Sequence, residues 1–335
     1  MERPEGGSTG RRTGRLLVAV ALVLGLVLTF VLQTLAVDRS LGLSVPQIRL
    51  AVQILAGVLT QAGDPWFLVI VVSAVYLAGP TKSLVRTPKS GAFAVATTYG
   101  AFATIDLLKH VYRAPRPGGA GSVTIPEWVP PTVAGPVANL VTGTGYAFPS
   151  GHALGTTVVF GALASVLTVG TARARWLAAA AGVVLVAATR LVLGVHFLAD
   201  VLVGIVVGVG FLGVAIWLDD PKRVFGLGAV VAAIAAVFAI TGPEGTAWTV
   251  VQWLGASVGG GLAWHFARPA GGVSLRTALV VGLPAGFLWA VVYLFSPSIP
   301  VILLFGTVFG GWTIAAPRAV AQYQQSSLEP GSTAR

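Results

Sequence analysis

The sequence predicts an all-α protein that crosses a membrane many times, and three observations carry that prediction. Hydrophobic residues make up 55% of the 335 residues. Charged residues make up 10%, where a soluble chain carries about a quarter. The apolar residues come in runs of 16 to 22, long enough to cross a hydrocarbon core. A soluble enzyme, a fibrous protein and a disordered chain are excluded together. With no cysteine in the chain, disulfides, thiolate metal sites and thiol redox chemistry are excluded as well.

Residues 1–15 are polar, Gly-rich and basic, and are expected to be a disordered cytoplasmic N-terminus. The apolar run Leu16 to Val37 is longer than the apolar region of a cleaved signal peptide and leads into Asp38-Arg39, which predicts a retained signal anchor. Gln47, Arg49, Gln53 and Gln61 interrupt residues 42–62, so an interfacial helix fits better there than a span. Spans are expected at about 65–80, 91–109, 150–169, 176–193, 197–217, 225–241, 247–266, 277–295 and 301–317, followed by a polar tail over 319–335. With the first run, that makes ten.

Loop charge supports this count. From a cytoplasmic N-terminus, the inside segments hold 15 of the 21 basic residues, as the positive-inside tendency requires. A further crossing at 42–62 would reverse the bias. The net charge of +10 is therefore first a topological signal, and no nucleic-acid partner is expected. Both termini are expected in the cytoplasm. Six basic residues remain off that side: Arg39, Arg49, Lys109, Arg113, Arg116 and Arg190. Four of them lie near the outer ends of helices, and the chemistry is expected there.

Three clusters lie in order within residues 109–200. Lys109, Arg113 and Arg116, at a helix end and in a Pro-stiffened loop, form a cation cluster suited to phosphate. Arg grips phosphate oxygens bidentately, and Lys acts as a point charge. In Pro149-Ser150-Gly151-His152, Ser150 is a good N-cap and the amides of Gly151 and His152 open a helix N-terminus, a ready anion site. His196 and Asp200 are four apart and would share one helix face. A carboxylate holding one imidazole nitrogen leaves the other free to attack. Arg190, six residues before His196, falls on another face of a continuous helix, so a break at Gly194 is expected.

Together the clusters resemble the signature of the type-2 phosphatidic acid phosphatase superfamily: K-x6-R-P, P-S-G-H and S-R-x5-H-x3-D. Lys109 to Pro117 and Pro149 to His152 match fully, and the third motif matches at Arg190, His196 and Asp200 with Thr189 in place of Ser. The resemblance covers about residues 16–218. It implies a six-helix phosphatase core, with about four additional transmembrane helices over 219–318. It also implies a phosphatase that needs no metal or cofactor, in which His196 attacks phosphorus, Asp200 orients it, and His152 protonates the leaving oxygen and then activates water. Lys109, Arg116, Ser150, Gly151 and Arg190 would bind phosphoryl oxygens, with Arg113 as an auxiliary. The implied substrate is a membrane lipid phosphate, either a phosphomonoester or a polyprenyl diphosphate, met on the extracytoplasmic side.

Other readings compete at each point. A metal site built from His152, His196 and Asp200 is opposed by the surrounding cations. Asp106 is expected to pair structurally with Lys109 or Arg113, and His110 and His265 to be structural. Gly204/Gly208, Gly255/Gly259 and Gly306/Gly310 have the spacing of close helix contacts, expected within one subunit; a homodimer has no support beyond them. The Gly- and Pro-rich loop 118–148 carries Trp128 and Tyr146 and is a candidate lid. A phosphotransferase using the same phosphohistidine is the alternative activity, and an anion or lipid transporter the alternative without catalysis.

Overall fold

The computed structural model of the chain describes residues 46–241, 247–267, 272–274, 276–283, 286–287 and 298–328. The expected first span 16–37 with the basic segment before it, Arg39, Glu244, Arg268, much of the expected span 277–295 and the end of the tail lie outside these residues. Among the described residues the structure is helical, with one isolated antiparallel bridge between Val85 and Leu167.

The helices are α1 (Pro46–Thr60), α2 (Pro65–Ala78), α3 (Pro88–Tyr112), α4 (Pro131–Val141), α5 (Gly151–Val166), α6 (Ala172–Val192), α7 (Leu198–Leu218), α8 (Pro221–Ile240), α9 (Ala247–Ala267) and α10 (Ile299–Leu328). Proline opens α2, α3, α4 and α8. Its ring presets the helical φ, and its missing N–H is one that the first turn leaves unpaired in any case. The Thr171 and Asp220 side chains cap α6 and α8 by accepting from the Ala174 and Lys222 amides.

Helices stand where spans were expected at 91–109, 150–169, 176–193, 197–217, 225–241, 247–266 and 301–317. Among the described residues, five segments are long and apolar enough to cross a membrane: α3, α6, α7, α8 and Ile299–Tyr323 of α10. At about 1.5 Å per residue, the 14 residues of α2 reach only about 21 Å, short of a hydrocarbon core of about 30 Å. Leu50–Gly63 and Pro65–Ala78 instead form a pair bent by 44°. Taken as one broken span, the pair leaves the expected number of crossings unchanged. The loop 118–148 contains a helix of its own, α4, and α10 continues past Pro317 into the segment expected as a polar tail. The run after Pro317 is rich in Ala and Gln, which favour helix.

The chain divides into two compact units. The first comprises Met1–Phe67, Tyr112–Ser165 and Val169–Gly210. Within it, Ala153 of α5, Val183 and Ala187 of α6, and Val201 and Ile205 of α7 make one buried cluster. Ala56 of α1, Ala120, Val141 of α4, Leu193 and Val195 make another. Gly204 and Gly208 let α7 lie directly on α5: a Cβ at Gly204 would stand 2.8 Å from the Ser150 carbonyl oxygen, and one at Gly208 2.8 Å from Thr157 Cβ.

The second unit comprises Leu68–Val111, Val166–Thr168 and Phe211–Arg335. Here α3 is packed by the C-terminal helices. Phe102 stacks on Trp253 of α9 with ring centroids 4.7 Å apart, Tyr99 touches Phe225 and Trp253, and the Tyr76 hydroxyl donates to the Ile314 carbonyl at 2.7 Å. An added Cβ at Gly255 or Gly259 of α9 would meet the backbone of Leu303, Gly306, Thr307 or Gly311 of α10, and one at Gly306 or Gly310 would meet the backbone of Gln252 or Ala256 of α9. Both glycine pairs are thus used between helices of one chain, as expected. Asp106 is buried beside Lys109 and accepts a hydrogen bond from Thr249 of α9.

Candidate active site

Apart from Lys109, the candidate residues of the three motifs lie in the first unit, and their geometry begins at the turn between α6 and α7. Gly194 takes φ of +66°, a left-handed conformation that favours glycine at a helix C-terminus. The break predicted there is present, and it separates Arg190, in the last turn of α6, from His196, two residues before α7. His196 and Asp200 therefore do not share a helix face. Asp200 lies in the first turn of α7, and its Oδ2 accepts from the Phe197 amide at 2.8 Å, an N-terminal cap. The same oxygen lies 3.3 Å from Nδ1 of His196, and both side chains are almost fully buried.

The other ring nitrogen faces a cation. Arg116 Nη1 stands 3.2 Å from His196 Nε2 and donates to the Val195 carbonyl at 2.8 Å. Its Nε donates to the carbonyls of Thr144 at 2.9 Å and Gly145 at 3.1 Å. A carboxylate only accepts and a guanidinium only donates, so the arrangement assigns the proton to Nδ1 and the lone pair to Nε2. Burial lowers the pKa of Arg116, and the negative charge of Asp200 opposes that shift. Gly143 makes room for the guanidinium, since a Cβ there would lie 2.9 Å from Nη1.

The Pro149-Ser150-Gly151-His152 segment follows a cis Phe148–Pro149 peptide and opens α5. The Ser150 amide donates to the Asp200 carbonyl at 2.9 Å, joining the start of α5 to that of α7. Ser150 sits at the cap position, its carbonyl accepting from Leu154 N. Its hydroxyl, however, makes no capping bond: it is fully buried and has no protein partner among the described residues. Buried donors are normally paired, so this one is available to a bound ligand. The buried Nε of Arg190 is in the same condition, while Arg190 Nη1 donates to the Thr60 hydroxyl at 2.9 Å. The charges of Arg116 and Asp64 both act on Arg190.

His152 Nε2 stands 3.0 Å from Asp64 Oδ1, within ion-pair range but without hydrogen-bond alignment. Arg113 follows α3 with φ of +46°. Lys109 occupies the last turn of α3, in the second unit. Among the described residues no three His, Asp or Glu side chains are grouped as metal ligands.

Sequence reasoning did not find Thr60 and Asp64. Thr60 lies in the stretch assigned to the interface, and Asp64 lies just past it. The only available signal was a carboxylate in Gly63-Asp64-Pro65 between two apolar runs, in a chain with 11 acidic residues.

Residues 91–223 match the family model of the PAP2 superfamily, the family that the three motifs resemble. The matched stretch contains all three motifs and begins after Asp64. Among curated proteins and solved structures, none matches the chain.

Proposed function

We propose that this chain, whose residues 91–223 match the PAP2 superfamily model, is a membrane phosphatase that hydrolyses a lipid phosphomonoester or polyprenyl diphosphate through a phosphohistidine. The observation that carries this reading is His196, held at Nδ1 by Asp200 and with the Nε2 lone pair turned to Arg116. A buried imidazole with a carboxylate behind it and a guanidinium before it suits attack on an anionic phosphoryl group.

The steps follow from these positions. A phosphoryl oxygen takes over the N–H of Arg116, releasing the Nε2 lone pair. Nε2 forms a bond to phosphorus while the bond to the leaving oxygen breaks. His152 supplies the proton that the leaving oxygen needs. Water then attacks the phosphohistidine, His152 takes its proton, the P–N bond breaks, and phosphate and free His196 are regenerated. Asp200 offsets the positive charge that the ring of His196 carries in between. The unpaired Ser150 hydroxyl and Arg190 Nε supply donors to the phosphoryl oxygens. Lys109, Gly151 and the auxiliary Arg113 are assigned with them by the motifs.

The charge distribution supports an extracytoplasmic site, with the lipid tails left in the bilayer. The test is phosphate release by purified protein from a panel of lipid phosphates and polyprenyl diphosphates, without divalent metal. Activity lost in His196→Ala is the expected result, and full activity in that variant or strict metal dependence overturns the reading. Protein denatured in alkali should carry one acid-labile, alkali-stable phosphate. Offering alcohols to that intermediate separates hydrolysis from phosphotransfer.

A further inference from the structure

We infer that the turn Thr60–Asp64, which lies outside the matched family region, is a fourth part of the active-site apparatus, in which Asp64 positions His152 and Thr60 positions Arg190. The inference rests on the phosphatase reading above. Thr60 is the last residue of α1, and a short 3-10 turn over Gln61–Gly63 leads to Asp64. Both ends of this turn reach motif residues: the Thr60 hydroxyl accepts from Arg190 Nη1 at 2.9 Å, and Asp64 Oδ1 stands 3.0 Å from His152 Nε2.

The turn is built for that approach. Gly63 lies directly on the ring, since a Cβ there would stand 2.9 Å from His152 Cδ2 and 2.7 Å from Val186 Cγ1. Thr60 is buried at 2% exposure. Burying an arginine is costly unless its donors are met; one is met by Thr60, which leaves the unpaired Nε for a ligand. Asp64 acts on both residues at once, because its negative charge also offsets that of Arg190. At His152, the Asp64 carboxylate within ion-pair range of Nε2 attracts the ring when it carries the proton that the leaving oxygen needs, and so holds it in place. The site then has two carboxylate–imidazole pairs with separate tasks. Asp200 serves the nucleophile, and Asp64 serves the proton donor.

Leaving-group dependence tests the inference. A proton donor matters for an alkyl phosphate, whose leaving alkoxide is strongly basic, and much less for p-nitrophenyl phosphate. Asp64→Asn is expected to lower kcat on a short-chain alkyl phosphate by about 10²-fold, with a far smaller loss on the aryl ester. Equal losses on the two esters overturn the role of Asp64. Thr60→Val, close in shape, is expected to raise KM and the inhibition constant of inorganic phosphate by about tenfold with kcat held, the effect of one hydrogen bond to a charged group. Thr60→Ser should restore both. An unchanged KM, or a fall in kcat alone, overturns the role of Thr60. Wild-type protein that releases no phosphate from either ester or from the lipid panel overturns the phosphatase reading, and this inference with it.

Discussion

His196 and Asp200 are paired through 3.3 Å between Nδ1 and Oδ2, although His196 stands outside α7 and Asp200 within its first turn. Asp200 accepts from the Phe197 amide with the same oxygen, so one carboxylate both starts the helix and orients the imidazole that precedes it. Asp200→Asn is expected to weaken both at once. Phosphate release should fall by about 10²-fold or more, because an amide can turn a donor toward Nδ1 and reverse the tautomer. A kcat within a few-fold of wild type would remove Asp200 from the mechanism.

Ser150→Ala separates folding from binding. Its hydroxyl is buried without a protein partner, so removing it costs the fold nothing in hydrogen bonds. Thermal stability in detergent is expected to stay the same or rise slightly. Inhibition by inorganic phosphate should weaken by roughly tenfold, about the value of a hydrogen bond to a charged ligand. A destabilised variant with unchanged phosphate inhibition would make Ser150 a structural residue.

Gly259→Leu tests the packing of α9 on α10. A Cβ at this position would run into the Thr307 carbonyl oxygen, which is backbone and cannot swing away. The expected cost is about 1–3 kcal/mol, typical of overpacking, seen as a lower unfolding temperature in detergent. The same substitution at Gly213, where an added Cβ meets nothing within 4 Å, should have little effect.

Sidedness is testable because the chain contains no cysteine. Ser122→Cys and Val169→Cys lie in exposed segments on either side of α5. A membrane-impermeant thiol reagent applied to intact cells should label the first, and should reach the second only after permeabilisation. Labelling in the opposite order would place the active site on the cytoplasmic side.

Many residues of the candidate site stand out in the sequence. Lys109, Arg116, His152, Arg190, His196 and Asp200 stand out because charged and ionisable groups are costly in lipid and are kept there for a purpose, and Ser150 stands out by its place at a helix N-terminus. The break at Gly194 was legible too, since glycine is the residue that takes a left-handed φ without strain. The local pairing of His196 with Asp200 was anticipated, but from the wrong geometry. Spacing suggested a shared helix face, whereas the helix begins one residue after Phe197 and the pair forms across its cap.

Composition and apolar run lengths were enough for the helical membrane class and for the places of most of the described helices, because exclusion of charge from lipid acts on each segment separately. Contacts between distant segments are another matter. Arg116 meets His196 across 80 residues of chain, and Thr60 meets Arg190 across 130. No hydrophobic period or motif spacing encodes such distances. They depend on how α1, α5, α6 and α7 pack, and on Gly63 and Gly143 leaving room where a Cβ would not fit. The sequence by itself determined which residues carry charge into the membrane. Only the tertiary structure decided that Asp64 stands beside His152 and that Thr60 holds Arg190, because a glycine-cleared approach is a property of packed surfaces and not of the chain order.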